Sequence, residues 1–186
     1  MNQFVPDILD DLWEIVQVDS VTTNCTMPKH ILFSISENDN IALPLLFKIT
    51  NPSTNEYVIS ASTEYYETEI GNQLAMLPPM IINYLKLESF AIIEMINKSP
   101  DLIPPKAKLI YLQPQSEVFY KIKDPQKILE KCFKDSYVCG QNYMIPIKIK
   151  NQIIYVKISK IIDNNDNEVK FANINNIDLN VEFLPV

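Results

Sequence analysis

The residues best equipped for chemistry in this chain are its three thiols, Cys25, Cys132 and Cys139, and its single imidazole, His30. Cys25 and His30 stand five residues apart across Pro28. At that spacing an imidazole can act as general base toward a thiol, so one reading is a thiol hydrolase. The plainer reading makes His30 a surface helix residue, because no orienting partner for its ring stands beside it in sequence. Cys132 and Cys139 would need further metal ligands from elsewhere, and a chain with one histidine supplies few, so they read as core thiols. An odd set of cysteines without close pairs suits a reducing compartment.

Other motifs are excluded by what is missing. The two glycines, Gly71 and Gly140, are far apart. They cannot build a phosphate-cradling loop, a dinucleotide fingerprint or a nucleophile elbow. Neither follows Asp-Thr or Asp-Ser, so the aspartic protease triplet is absent. The run Asp163 to Glu168 alternates Asp and Asn but lacks the turn glycine and the terminal bidentate glutamate of a calcium loop, and reads as a solvated turn. Two matches to the glycosylation sequon, at Asn24 and Asn97, fit chance in so Asn-rich a chain. No catalytic residue, metal or cofactor is expected.

All 16 basic residues are lysines, against 23 carboxylates, for a net charge of −7. Apolar residues make up 47%, which fits a folded globular protein. An acidic chain without arginine is a poor match for nucleic acid, where counterion release and bidentate arginine contacts dominate. The charge is uneven: residues 1–112 hold 6 lysines and 14 acids, residues 113–186 hold 10 and 9. An acidic first half favours encounter with a basic partner, or serves solubility alone. The first residues carry neither a basic lead nor a long apolar core, so no signal peptide is expected. No apolar run nears the roughly 18 residues that span a membrane.

These side chains are positioned by many short elements. Strands are expected over 12–18, 45–50, 57–66, 74–77, 90–96 and 107–112, the last closing the first half. A helical turn starts at Pro28 with Ile31, Leu32 and Ile35 on its apolar side, and a short helix runs over 80–87. Asn51 to Asn55 is a turn cluster. Few hairpin signals among these strands suggest an interleaved barrel. In the second half, Asp124 is a candidate N-cap and Pro125 fits the first helical position. Ile128, Leu129, Cys132 and Phe133 then share one helical face over 124–134. Strands over 143–150 and 153–162 form a hairpin with one wet face, Pro146 marking an edge or a bulge. Further strands cover 169–172 and 177–183.

Between the halves lies Leu112-Gln113-Pro114-Gln115, then Phe119, Asp124-Pro125 and Leu129-Glu130. Two earlier blocks accompany it: Met27-Pro28 with Leu45-Leu46-Phe47-Lys48-Ile49-Thr50-Asn51, and Leu77-Pro78 with Met80 and Asn83-Tyr84-Leu85. Together, from about Trp13 to Val186, they resemble the N-terminal domain of the ubiquitin fusion degradation protein 1 family. The resemblance implies an α+β, mainly β fold. After a lead-in over 1–11, a double-psi β-barrel subdomain would span 12–112 and a smaller mixed α/β subdomain 113–186, with Val118 and Phe119 packed between them.

It also implies a non-enzymatic adaptor. Family members work with a homologue of nuclear protein localization protein 4 and deliver polyubiquitinated clients to an AAA unfoldase, the valosin-containing protein, for proteasomal degradation. The expected setting is cytoplasmic or nuclear, with recruitment to the endoplasmic reticulum surface. This domain would bind ubiquitin or polyubiquitin. The segments that contact unfoldase and adaptor lie beyond the family's N-terminal domain, and this chain ends at Val186 without a Phe-x-Gly docking motif. The usual Gly-Asp is here Gly140-Gln141, and the usual glycine pair is missing at Glu88-Ser89. The candidate ubiquitin-binding residues are the acidic cluster Glu64, Glu67 and Glu69, with Leu77 and Met80 as an apolar centre. The remaining alternative is a scaffold for adaptor peptides without ubiquitin affinity.

Overall fold

In the computed structural model the described residues are 12–20, 22–33, 44–62, 64–68, 73–149 and 152–186. The lead-in over 1–11, Ile35, Glu69, Gly71 and Lys150 lie outside them.

The first half is a mixed seven-stranded sheet. Its strands are β1 (Leu12–Gln17), β2 (Thr26–Pro28), β3 (Leu45–Thr50), β4 (Tyr57–Ser62), β5 (Glu64–Tyr66), β6 (Leu74–Leu77) and β7 (Phe90–Met95), in the order β4-β3-β7-β1-β6-β2-β5. β1 pairs parallel with β6 and antiparallel with β7, so sequence-distant strands meet at the centre. The alternation that marks these strands is a burial pattern. Leu45, Phe47 and Ile49 on β3 are closed to solvent while Leu46 and Lys48 are half-buried. Trp13, the lone tryptophan, is fully buried on β1.

Two helical pieces adjoin this sheet: residues 29–33 (α1) and Pro79–Leu85 (α2). α2 starts on Pro79, whose missing N–H costs nothing at that position. It stops where Lys86 turns left-handed at φ 54°, with the Lys86 N–H returned to the last turn. The cluster Asn51 to Asn55 is a turn, as its composition implies. Asn51 Oδ1 accepts from the Ser53 N–H at 2.7 Å, and Asn55 stands at φ 59°.

The second half holds β8 (Ala107–Pro114), α3 (Pro125–Lys134), β9 (Val138–Gly140), β10 (Met144–Ile149), β11 (Gln152–Asp163), β12 (Phe171–Asn173) and β13 (Asn180–Phe183). β10-β11-β8-β13 form a four-stranded sheet, and β12 pairs with β9. Asp124 caps α3 through its carboxylate, which accepts the Lys127 N–H at 3.3 Å, with Pro125 at the first position. Leu129 is the buried residue of its apolar face. β10 is an edge strand, the position its proline implies.

Three strand expectations are corrected. The stretch 107–112 does not close the first half, because β8 pairs antiparallel with β11 and parallel with β13 inside the second sheet. The stretch 57–66 is two strands at opposite ends of the larger sheet: β4 pairs with β3, and β5 with β2. The expected strand over 177–183 is paired only from Asn180 onward. Periodicity reports extension and burial, not which strand lies alongside, so each of these differences is one of pairing.

Candidate binding surface

Cys25 and His30 do not form an accessible dyad. Cys25 is 1% exposed, its Sγ facing the Ala61 carbonyl at 3.5 Å. Burial pushes its thiol up to about 12, so it carries almost no nucleophilic thiolate near neutrality. Cys139 is equally buried and likewise pushed up to about 12. Cys132 is half-buried on α3, its thiol raised by burial although Lys131 opposes the shift. Asp163 binds its own loop: Oδ1 accepts the Asn165 and Asn167 N–H groups at 2.8 and 2.9 Å, and these bonds hold its carboxyl below the usual range. That is the solvated turn. Among the described residues no group of three potential metal ligands converges.

The acidic candidates lie at one end of the larger sheet. Glu64 begins β5, the outermost strand, and Glu67 follows it, both exposed. Glu67 Oε1 meets Lys29 Nζ of α1 at 2.7 Å. That hydrogen bond lowers the Glu67 carboxyl and raises the Lys29 ammonium. Lys29 Nζ also lies 5.5 Å from the ring centre of Tyr65 and 5.9 Å from that of Phe33. The two rings meet edge to face at 5.4 Å. Phe33 is 42% and Tyr65 47% exposed, so an aromatic pair is partly open to solvent beside the carboxylates.

The apolar candidates sit differently. Leu77 is fully buried and Met80 is 7% exposed, both in the core. They do not join Glu64 and Glu67 in one exposed surface. Phe33 and Tyr65, which the sequence did not single out, are the partly exposed apolar side chains beside Glu64 and Glu67. The available signal was the helical spacing of Lys29 and Phe33, which puts both on one face.

Beside β5 opens a cleft of about 620 Å³ between the halves, lined among others by Asp19, Glu64, Met76, Lys134 and Tyr137. A polar seam runs beside it, sharing Asn24, Asp135 and Tyr137 with its lining. Thr23 Oγ1 donates to the Val138 carbonyl, and the Thr23 N–H donates to Ser136 Oγ at 3.2 Å. Asn24 Nδ2 donates to the Asp135 carbonyl at 2.6 Å, while its Oδ1 accepts the Tyr137 N–H at 3.2 Å. Ser60 Oγ donates to the Thr23 carbonyl at 2.7 Å, tying the seam to β4. The amide of the first sequon is thus engaged at both ends. The second is engaged as well: Asn97 Oδ1 accepts the Leu46 N–H at 2.6 Å.

A second join is aromatic. Tyr143 is fully buried, edge-on to Tyr84 of α2 at 5.2 Å and near Phe171 of β12 at 6.5 Å. Phe171 in turn reaches Tyr57 of β4 at 5.6 Å. Gly140 is small for this reason: a Cβ there would lie 2.7 Å from the Tyr143 ring. Phe119 is buried against Phe183 at 5.3 Å, within the second half, while Val118 is 38% exposed. Val118 is thus open to solvent, and the ring contacts of Phe119 with Tyr120 and Phe183 lie within the second half.

Among the described residues no helix is long and apolar enough to cross a membrane. No curated protein matches the chain. Residues 106–186 match the family described as "Ubiquitin fusion degradation protein UFD1, N-terminal subdomain 2". The matched stretch starts one residue before β8, at the point where the second sheet begins. Over residues 106–186 the chain is thus similar to the second subdomain of the N-terminal domain of that family.

Proposed function

We propose that this chain is a non-enzymatic adaptor domain of ubiquitin-dependent degradation, which binds ubiquitin or polyubiquitin and helps bring marked clients to an AAA unfoldase of the valosin-containing protein type. The observation that carries this reading is the family match over residues 106–186. In the same reading the seven-stranded half is the family's double-psi barrel, and the chain divides into two subdomains near residue 106. A homologue of nuclear protein localization protein 4 is the expected co-adaptor. The setting is cytoplasmic or nuclear, at the endoplasmic reticulum surface when clients emerge there.

The β5 end of the larger sheet is the surface we assign to ubiquitin. Ubiquitin's main recognition patch is apolar with basic groups around it. Phe33 and Tyr65 offer an exposed aromatic pair, and Glu64 and Glu67 offer carboxylates at its border. Apolar contact at the centre with opposite charge at the rim is how such small interfaces gain affinity and orientation. Leu77 and Met80 are closed to solvent, so they support the sheet and do not make the contact. A surface of this size binds one ubiquitin weakly, and chains of ubiquitin gain by repeated rebinding. The burial and raised thiol of Cys25 favour this reading over a thiol hydrolase.

Titration of the isotope-labelled chain with single ubiquitin and with polyubiquitin, read by amide NMR, tests it. Shifts clustered at residues 29–33 and 64–67, weakened by Tyr65→Ala, are expected. Silence of every amide at millimolar ubiquitin refutes the ubiquitin reading. Shifts confined elsewhere refute the assigned surface alone.

A further inference from the structure

We propose that the groove between α3 and β13 receives an extended, acidic peptide segment as a fifth strand of the smaller sheet. This goes beyond the ubiquitin reading and uses a different sheet.

The two edges of the smaller sheet are unlike. β10, at one edge, carries Pro146 and Lys148, residue types that blunt strand pairing. β13, at the other, reads Asn180-Val181-Glu182-Phe183 and carries neither. Its pairing fixes which groups are free for a new neighbour. The Leu184 N–H bonds to the Leu112 carbonyl at 2.8 Å, so residues of that parity turn their main chain toward β8. By alternation the main-chain groups of Val181 and Phe183 face the open edge.

A groove of about 820 Å³ adjoins this edge, with α3 as its other wall. Val181 and Phe183 stand in register with the buried Ile110 and Leu112, so their side chains continue the apolar face of the sheet into the groove. Phe133 of α3 lines the same groove. An added strand would lay every second side chain onto this floor and present the others to the walls.

Charge selects among extended segments. Lys127, Lys131 and Lys134 recur along one flank of α3, at helical spacing, and all three line the groove. The acids on the lining are Glu130, already bonded by Gln126 at 3.2 Å, and Asp178 on the opposite wall. A segment alternating apolar residues with carboxylates satisfies the open edge, the apolar floor and the lysine flank together. A helix has its main-chain groups already paired and leaves the edge unused.

The probe is a capped seven-residue peptide alternating valine and glutamate, titrated into the labelled full chain and followed by amide NMR. Saturable shifts at residues 127–134 and 177–184 are expected. Methylating the peptide's alternate amides to block main-chain pairing should weaken binding about tenfold or more. Replacing its glutamates by lysines, or combining Lys127→Glu with Lys131→Glu in the protein, should do the same, with thermal melting confirming that the variant folds. No shift at millimolar peptide overturns the proposal, as does equal binding by the methylated or the lysine peptide. So do shifts confined to β10, or sedimentation showing that a second copy already occupies the β13 edge.

Discussion

Alkaline titration of the buried thiols offers the most direct test of whether this chain has a reactive cysteine. Cys25 and Cys139 ordinarily ionise near 9.0 and are each pushed up to about 12 by burial. Three units leave about a thousandfold less thiolate than an open cysteine holds at the same pH. Linkage turns the same shift into stability. Below about pH 9 both thiols are protonated, folded or unfolded, and their contribution is fully present. As the pH rises toward about 12 the unfolded chain loses these protons while the folded chain keeps them, so stability falls. Each thiol accounts for about 1.4 kcal/mol per pH unit, and on the order of 4 kcal/mol across the window.

Denaturant melts of the parent and of a Cys25→Ala, Cys139→Ala variant, taken at intervals over that window, isolate the effect. Lysine ionisation and that of the other tyrosines is common to both proteins and cancels in the difference; Tyr143, raised in part by Cys139, is separated by running Cys25→Ala alone. The parent should lose stability more steeply, and the gap between the curves should widen with pH. In parallel, an alkylating reagent near neutral pH should label Cys132 well before Cys25 or Cys139, with all three reacting in denaturant. Parallel stability curves, or labelling of Cys25 as fast as in the unfolded chain, would refute the reasoning and revive the hydrolase reading.

Other outcomes follow from the packing. Gly140→Ala forces a Cβ to within 2.7 Å of the enclosed Tyr143 ring, so it should cost about 1–3 kcal/mol by overpacking. Thermal melting of that variant beside Tyr143→Leu and the double variant should reveal coupling between the two sites, and additive losses would contradict the contact. Thr23→Val leaves the Val138 carbonyl without its donor and should cost about 1–3 kcal/mol. Hydrogen exchange should then quicken around residues 136–140, and unchanged protection there would deny the seam its role. Asp163→Ala removes the acceptor for two loop N–H groups. The parent carboxyl is held below its usual range, so its contribution is present above the ordinary carboxylate pKa and lost as the pH falls through the depressed value. Melting points of parent and variant should therefore converge in acid; a constant gap would contradict this.

What was legible from residue order alone was local chemistry. Asp124-Pro125 starts a helix because a carboxylate can cap and a proline needs no partner there. Asn51-Pro52-Ser53-Thr54-Asn55 turns because short polar side chains bond their own backbone. Pro146 marks an edge because it has no N–H to give. The waist segment and the two earlier motif blocks likewise pointed to the family that residues 106–186 match. None of this depends on a distant neighbour.

Pairing and burial depended on the tertiary structure. β8 joins β11 and β13 because hydrogen bonds between strands obey geometry that a hydrophobic period does not encode. Leu77 and Met80 looked like an apolar centre for Glu64 and Glu67, yet they are buried, and Phe33 and Tyr65 meet beside those acids instead. The join between the halves runs through Thr23, Asn24 and Ser136, residues that look like ordinary loop positions until chain segments more than a hundred residues apart are brought together. A side chain's type sets which bonds it can make, and only the fold sets which partners come within reach.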